Sequence, residues 1–213
     1  MSPQDFKASW NEAESQLSPI SPDRLSRFPI SPKTANFLTI TGLPKYGPGY
    51  LSFAEDSDDK VYGVIKLIEQ YDFFGEEAKY DKYIVIGSCR DGDAIAIDTS
   101  DADTIWELDH EDSFNAQFFN SSIESLAHFL IIYQQFEALV VAENGLDRFN
   151  SRNFTDVHFD KLRNKMLEID ERALTERGFW KEELEIILAL RQKFLDHGPG
   201  IDPFADYNFN PSP

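Results

Sequence analysis

The chain of 213 residues contains a single cysteine, Cys89. A lone thiol excludes an internal disulfide and any CxxC zinc or redox site. Basic residues are scarce: 20 Lys and Arg stand against 38 Asp and Glu, a formal net charge of −18. A field of that sign repels nucleic-acid phosphates and anionic membrane surfaces, so neither is expected as a partner. It favours basic partners, and it also keeps a surface well solvated. No run of about 18 apolar residues occurs, so no membrane-spanning segment is expected. The opening MSPQDFKASWNEAES lacks the basic and apolar regions of a signal peptide, which makes the cytoplasm the expected location. Catalytic signatures are missing too. There is no GxSxG, Walker loop or GxGxxG, and His110, His128, His158 and His197 fall into neither HxxxH nor HExxH spacing. The sequence reads as a non-enzyme without a cofactor or metal ion.

Apolar material is plentiful. Hydrophobic residues make up 41% of the chain, with 18 Phe, enough for a sizeable core. Residues 1–196 are expected to form a single α+β domain that includes the N-terminal helix and a Pro-rich loop within residues 1–30. Residues 197–213, HGPGIDPFADYNFNPSP, read as a flexible or docked tail. Ser2 and Pro3 predict a helix from Ser2 to Leu17, with Phe6, Trp10, Ala13 and Leu17 on one face. Ser31-Pro32 repeats that start signal for a short helix ending near Gly42. Strands are expected at Tyr50–Phe53, Val61–Ile65, Tyr83–Gly87, Ala94–Asp98 and Thr104–Leu108. The third is nearly all apolar and belongs at the centre of a sheet. From Tyr83 onward the links are too short for helical crossovers, so pairing should be antiparallel. Ser121 and Glu124 offer a capping box for a long helix, Ile123 to Val141, apolar on nearly every face and stopped by Asn144-Gly145. Two more helices are expected, Asp160–Leu174 and Phe179–Leu195.

The segment GSCRDGDAIAID, Gly87 to Asp98, poses the functional question. Two aspartates around a glycine begin either a metal loop or a tight turn. An EF-hand loop starting at Asp91 requires Gly at its sixth position and Glu at its twelfth, and these are Ala96 and Ala102. Asp91-Gly92 between two strands is instead the signal of a two-residue hairpin. From Asp91 to Asp112 nine acids occur without one Lys or Arg. Strand alternation gathers such residues on one face or at its turns. Two readings stand: a solvated edge protected from aggregation, or a surface for a basic partner. The candidate partner-binding residues are Asp91, Asp93, Asp101, Asp103, Glu107, Asp109 and Glu111.

Several local patterns, taken in order, resemble the SUKH superfamily, specifically its bacterial immunity-protein branch. They are Gly42-Leu43-Pro44 after a short helix, YIVIGS (Tyr83 to Ser88), GDAIAID (Gly92 to Asp98) and a strand with Trp106. FFNSSIESLAHFL (Phe118 to Leu130), LEIDERAL (Leu167 to Leu174) and GFWKEEL (Gly178 to Leu184) follow. The resemblance spans roughly Leu38 to Leu195. It implies an α+β fold with a mainly antiparallel sheet backed by helices. It further implies a cytosolic protein that binds and neutralises a polymorphic toxin, possibly a nuclease, without catalysis. A scaffold or regulatory interaction module on the same fold is the alternative. No catalytic or contact residue carries over from the resemblance. YDFFGEEAKYDKY (Tyr71 to Tyr83) and the Pro-rich stretch before Ser31 match nothing in it, and stand as peripheral loops or a private interface.

Overall fold

A computed structural model describes residues 1–73, 75, 77–145 and 153–197. The first helix, α1 (Pro3–Ser9), begins as expected, with Ser2 and Asp5 closing a capping box. It stops well before Leu17. Trp10 turns extended, is buried, and donates its indole N–H to the Ser15 carbonyl at 2.7 Å. The Pro-rich stretch is pinned rather than free. It pairs β1 (Leu17–Ser18) with β2 (Leu43–Pro44) and contains a one-turn helix, α2 (Pro22–Leu25). A side chain at Gly42 would sit 1.9 Å from the Ser18 carbonyl oxygen, so only glycine lets the two segments approach. Buried Arg24 ties α2 to the acidic turn, reaching Asp56 and Asp58 at 2.6 Å each. α3 (Pro32–Ile40) follows, capped by Ser31.

The main sheet has seven strands among the described residues, all antiparallel. Its order is β3 (Tyr46–Gly47), β4 (Leu51–Phe53), β6 (Tyr83–Ser88), β7 (Ala94–Asp98), β8 (Thr104–Asp109) and β9 (Asn115–Asn120). β5 (Ile65–Lys66) pairs with the early part of β6, beside β4. The apolar β6 is interior, as its sequence requires. The strand expected at Val61–Ile65 is displaced: Val61 and Tyr62 are 70% and 66% exposed, and Asp59 holds them in a turn by accepting from both amides. β9 escaped sequence reading because NAQFFN has no clear alternation and follows an acidic turn.

Alternate residues face opposite ways across the sheet. Ile84, Ile86, Ile95, Ile97 and Ile105 join the main core with the central helix α6 (Ile123–Asn144). Val85, Ala94, Ala96 and Leu108 face a second, smaller core. α4 (Leu67–Gln70) and the unmatched Tyr71–Tyr83 insert that follows it, with α5 (Glu77–Tyr80), cover that second face. Phe73 stacks on Tyr80 at 4.1 Å, and Phe114 meets both Tyr71 and Phe73. By length and composition alone α6 is apolar enough to cross a membrane. Its apolarity is accounted for by burial of Leu126, Phe129, Leu130, Tyr133 and Phe136 within the protein. Ser122, not Ser121, caps it, exchanging hydrogen bonds with Ser125. Gly145, in the left-handed region, ends it.

Three C-terminal helices complete the described structure: α7 (Asp156–Ile169), α8 (Glu171–Thr175) and α9 (Phe179–His197). The single helix expected over Asp160–Leu174 is split at Asp170, whose backbone leaves the helical region. Its carboxylate explains why. It accepts from the Ser121 amide at 2.7 Å, the Ser121 hydroxyl at 2.9 Å and the Asn120 side-chain amide at 3.3 Å. The Asn120 side-chain Oδ1 in turn accepts from the Trp180 indole at 3.0 Å. A Cβ at Gly178 would lie 2.4 Å from the Phe118 carbonyl oxygen, so α9 starts hard against β9. The expected tail lies outside the described residues apart from His197.

Three hydrogen bonds at about 1 kcal/mol each make Asp170→Ala cost about 3 kcal/mol of stability. Urea unfolding should show this loss, with Asp160→Ala changing stability by less than about 0.5 kcal/mol.

Candidate partner-binding site

The site forms at one end of the sheet, where two turns and the start of α9 meet. Between β6 and β7 the chain turns through Arg90, Asp91 and Gly92. The Gly92 amide donates to the Cys89 carbonyl at 3.1 Å, and the Cys89 amide donates to that of Asp93 at 3.0 Å. This is a three-residue loop with Gly92 at φ 86°, one residue longer than the expected two-residue turn. Between β8 and β9, Asp109 shapes the second turn by accepting from the Glu111 and Asp112 amides. His110 then joins the two. Its amide and its ring Nδ1 both reach Asp93 Oδ1, at 2.9 and 2.6 Å.

The turns and α9 enclose a groove of about 570 Å³. It is lined by Asp91, Asp93, Glu107, Asp109, Glu111 and Glu182, with Arg90, His110, Gln117, Arg177 and Phe179. Six carboxylates thus face two guanidiniums, and one of these, Arg90, is shared between Asp91 at 3.5 Å and a buried carboxylate outside the groove lining. Arg90 Nη1 pairs with buried Glu183 at 2.5 Å, and its guanidinium lies 5.1 Å from the Phe179 ring centre. The other Glu183 oxygen accepts from the Tyr133 hydroxyl of α6. Arg177 stands 3.8 Å from Glu182.

This charge imbalance is felt by the buried members. Glu107 is 7% exposed, and its carboxyl is pushed up to about 7. Burial is the main cause, reinforced by the charges of Asp93 and Glu182 and opposed by the Cys89 thiol and Arg90. Burial and the nearby Glu107 charge push the Cys89 thiol up to about 12. A thiol held protonated is a poor nucleophile at neutral pH. Burial also lowers the pKa of His128, on α6. His158 sits in the α7 capping box, with Glu143 at 3.2 Å from its Nε2.

Five of the seven candidate residues therefore come together: Asp91, Asp93, Glu107, Asp109 and Glu111. Asp101 and Asp103 lie in the β7–β8 turn at the opposite end of the sheet. Asp103 is buried and accepts from the Ser31 amide at the start of α3, at 2.8 Å. The neighbouring Asp98 is likewise committed, to Lys82 at 2.6 Å and to Ser100. Sequence reading missed Arg177, Phe179 and Glu182, which reach the groove only because Gly178 sets α9 against β9. No local pattern near Asp91 signals them.

A family model described as SUKH-4 immunity protein matches residues 10–186. Searches of curated proteins and of solved structures gave no significant match.

Because folding raises the Glu107 carboxyl from 4.5 to about 7, the folded state holds a proton that the unfolded chain has lost. The resulting stabilisation is complete below pH 4.5 and disappears as pH rises through 7. Its size is up to about 3 kcal/mol. Urea unfolding in the presence of a chelator should find Glu107→Gln close to wild type at pH 5 and more stable than wild type at pH 8. The same difference at both pH values would mean that Glu107 is already ionised at pH 5.

Proposed function

The chain belongs to the SUKH-4 immunity protein family, and from that premise we propose that it neutralises a basic toxin domain by binding it, without catalysis, in the cytoplasm. The observation that carries this reading is the groove, where six carboxylates face two arginines and one arginine is shared with buried Glu183. A nuclease grips phosphates with lysines and arginines, so its active face is electropositive. An acidic groove competes for that face by offering charge of the same sign as the substrate. A net charge of −18 adds long-range attraction. Attraction of this kind speeds encounter, which serves an inhibitor that must reach its target before the target reaches nucleic acid. Nucleic acid and anionic membranes are disfavoured as partners by the same field.

The test is co-expression with the toxin domain encoded beside it. Survival together with co-purification is the expected result; neither, with both proteins folded, overturns the proposal. The location of the interface has its own check. Charge reversal at Asp91, Glu111 and Glu182 together should slow association about tenfold or more at low salt, and less as salt screens the groove. Asp160→Lys, on α7, should leave the rate unchanged. An unaltered rate in the triple variant would place the interface elsewhere.

A further inference from the structure

We propose that Cys89, Asp93 and Glu107 form a binding site for a divalent transition-metal ion, with zinc the best match to the donors. This inference does not rest on the toxin-binding reading. The Cys89 sulfur and one carboxylate oxygen each from Asp93 and Glu107 all lie within 4.8 Å of one another. Cys89 Sγ and Asp93 Oδ2 are 3.9 Å apart. In a tetrahedral zinc site, bond lengths of about 2.3 Å to sulfur and about 2.1 Å to oxygen give an S–O edge of roughly 3.6 Å. The existing separation is therefore a few tenths of an ångström from that edge.

The donors are held by the fold rather than by chance side-chain positions. Cys89 and Asp93 flank the three-residue turn and are fixed by their own backbone hydrogen bond. Glu107 projects from β8, where it pairs with Ile95 of β7. His110 occupies Asp93 Oδ1, which leaves Oδ2 directed at Cys89. Ligating carboxylates are themselves held by outer-sphere hydrogen bonds, the role His110 would have here.

Two further observations favour a cation at this position. Glu107 is 7% exposed, and its carboxyl lies beside the Cys89 thiol within the cluster. Directly opposite it on β9 stands Gln117, whose buried Oε1 accepts no hydrogen bond. Both acceptors line the groove. A metal ion satisfies the first, and a water on the metal's open position supplies a donor for the second. The thiol makes the set soft, which favours zinc over magnesium or calcium. On binding, the thiol proton leaves to solvent and the thiolate takes its place on the metal.

The test uses the full chain, stripped with a chelator and titrated with Co²⁺ and then Zn²⁺. One equivalent of Co²⁺ should produce a thiolate-to-cobalt charge-transfer absorption, with release of protons and displacement by Zn²⁺. Cys89→Ser should abolish that absorption. Glu107→Gln removes a buried charge at constant shape, so it should fold, and it should weaken Zn²⁺ binding at least tenfold; His110→Ala should weaken it about tenfold. Asp160→Asn should change nothing. Absence of the absorption in wild type overturns the site. So does Zn²⁺ binding of equal strength in wild type, Cys89→Ser and Glu107→Gln, because the exposed acids alone would then account for it.

Discussion

The buried Asp170 carboxylate is the constraint on which the C-terminal half depends. It sits where one helix ends and the next begins, and it takes hydrogen bonds from Asn120 and Ser121 at the junction of β9 with α6. Asn120 passes the connection to Trp180. One side chain thereby fixes the relative placement of an edge strand, the central helix and α9. Removing a partner from such a network leaves other polar groups buried without hydrogen bonds, so its members are interdependent. The three sequence stretches FFNSS, LEIDERAL and GFW meet at this point. They are architectural, and none of them forms the floor of an acidic surface except through the position of α9.

That position is what creates the groove. Phe179 and Glu182 come from the first turn of α9, and Arg90 reaches across from the β6–β7 turn to Glu183. Glu183 also accepts from Tyr133, so the turn, α9 and α6 are joined through one carboxylate. The second face of the sheet is independent of this arrangement. Its Ala94 and Ala96 leave room for the aromatic layer of Phe73, Tyr80 and Phe114, which makes the Tyr71–Tyr83 insert a structural cover.

Elements with a strong local signal were legible in the sequence. β6, β7, β8, α6 and α9 all have periodicity or uniform apolarity that matches their burial, and Ser2, Ser31 and Gly145 mark helix ends by local chemistry. Elements decided by distant contacts were not legible. α1 ends early because Trp10 finds Ser15, and Val61–Tyr62 leaves the sheet because Asp59 captures two amides. The helix over Asp160–Leu174 breaks because Asp170 is recruited fifty residues away. The candidate site divides along the same line. Its acids are contiguous in sequence, but hairpin geometry sends Asp101 and Asp103 to the far end of the sheet. Cys89, Asp93 and Glu107 converge only through strand register.

The His110–Asp93 staple also bears on binding kinetics. Both rim turns are already held, one by that staple and the other by Asp109, while Arg90 is locked against Phe179 and Glu183. A rim of free loops would lose conformational freedom on complex formation, at about 0.5–1.5 kcal/mol for each side chain immobilised. Here that ordering is completed during folding. For any partner that docks there the groove is a rigid template, so little of the contact energy would be consumed in shaping it.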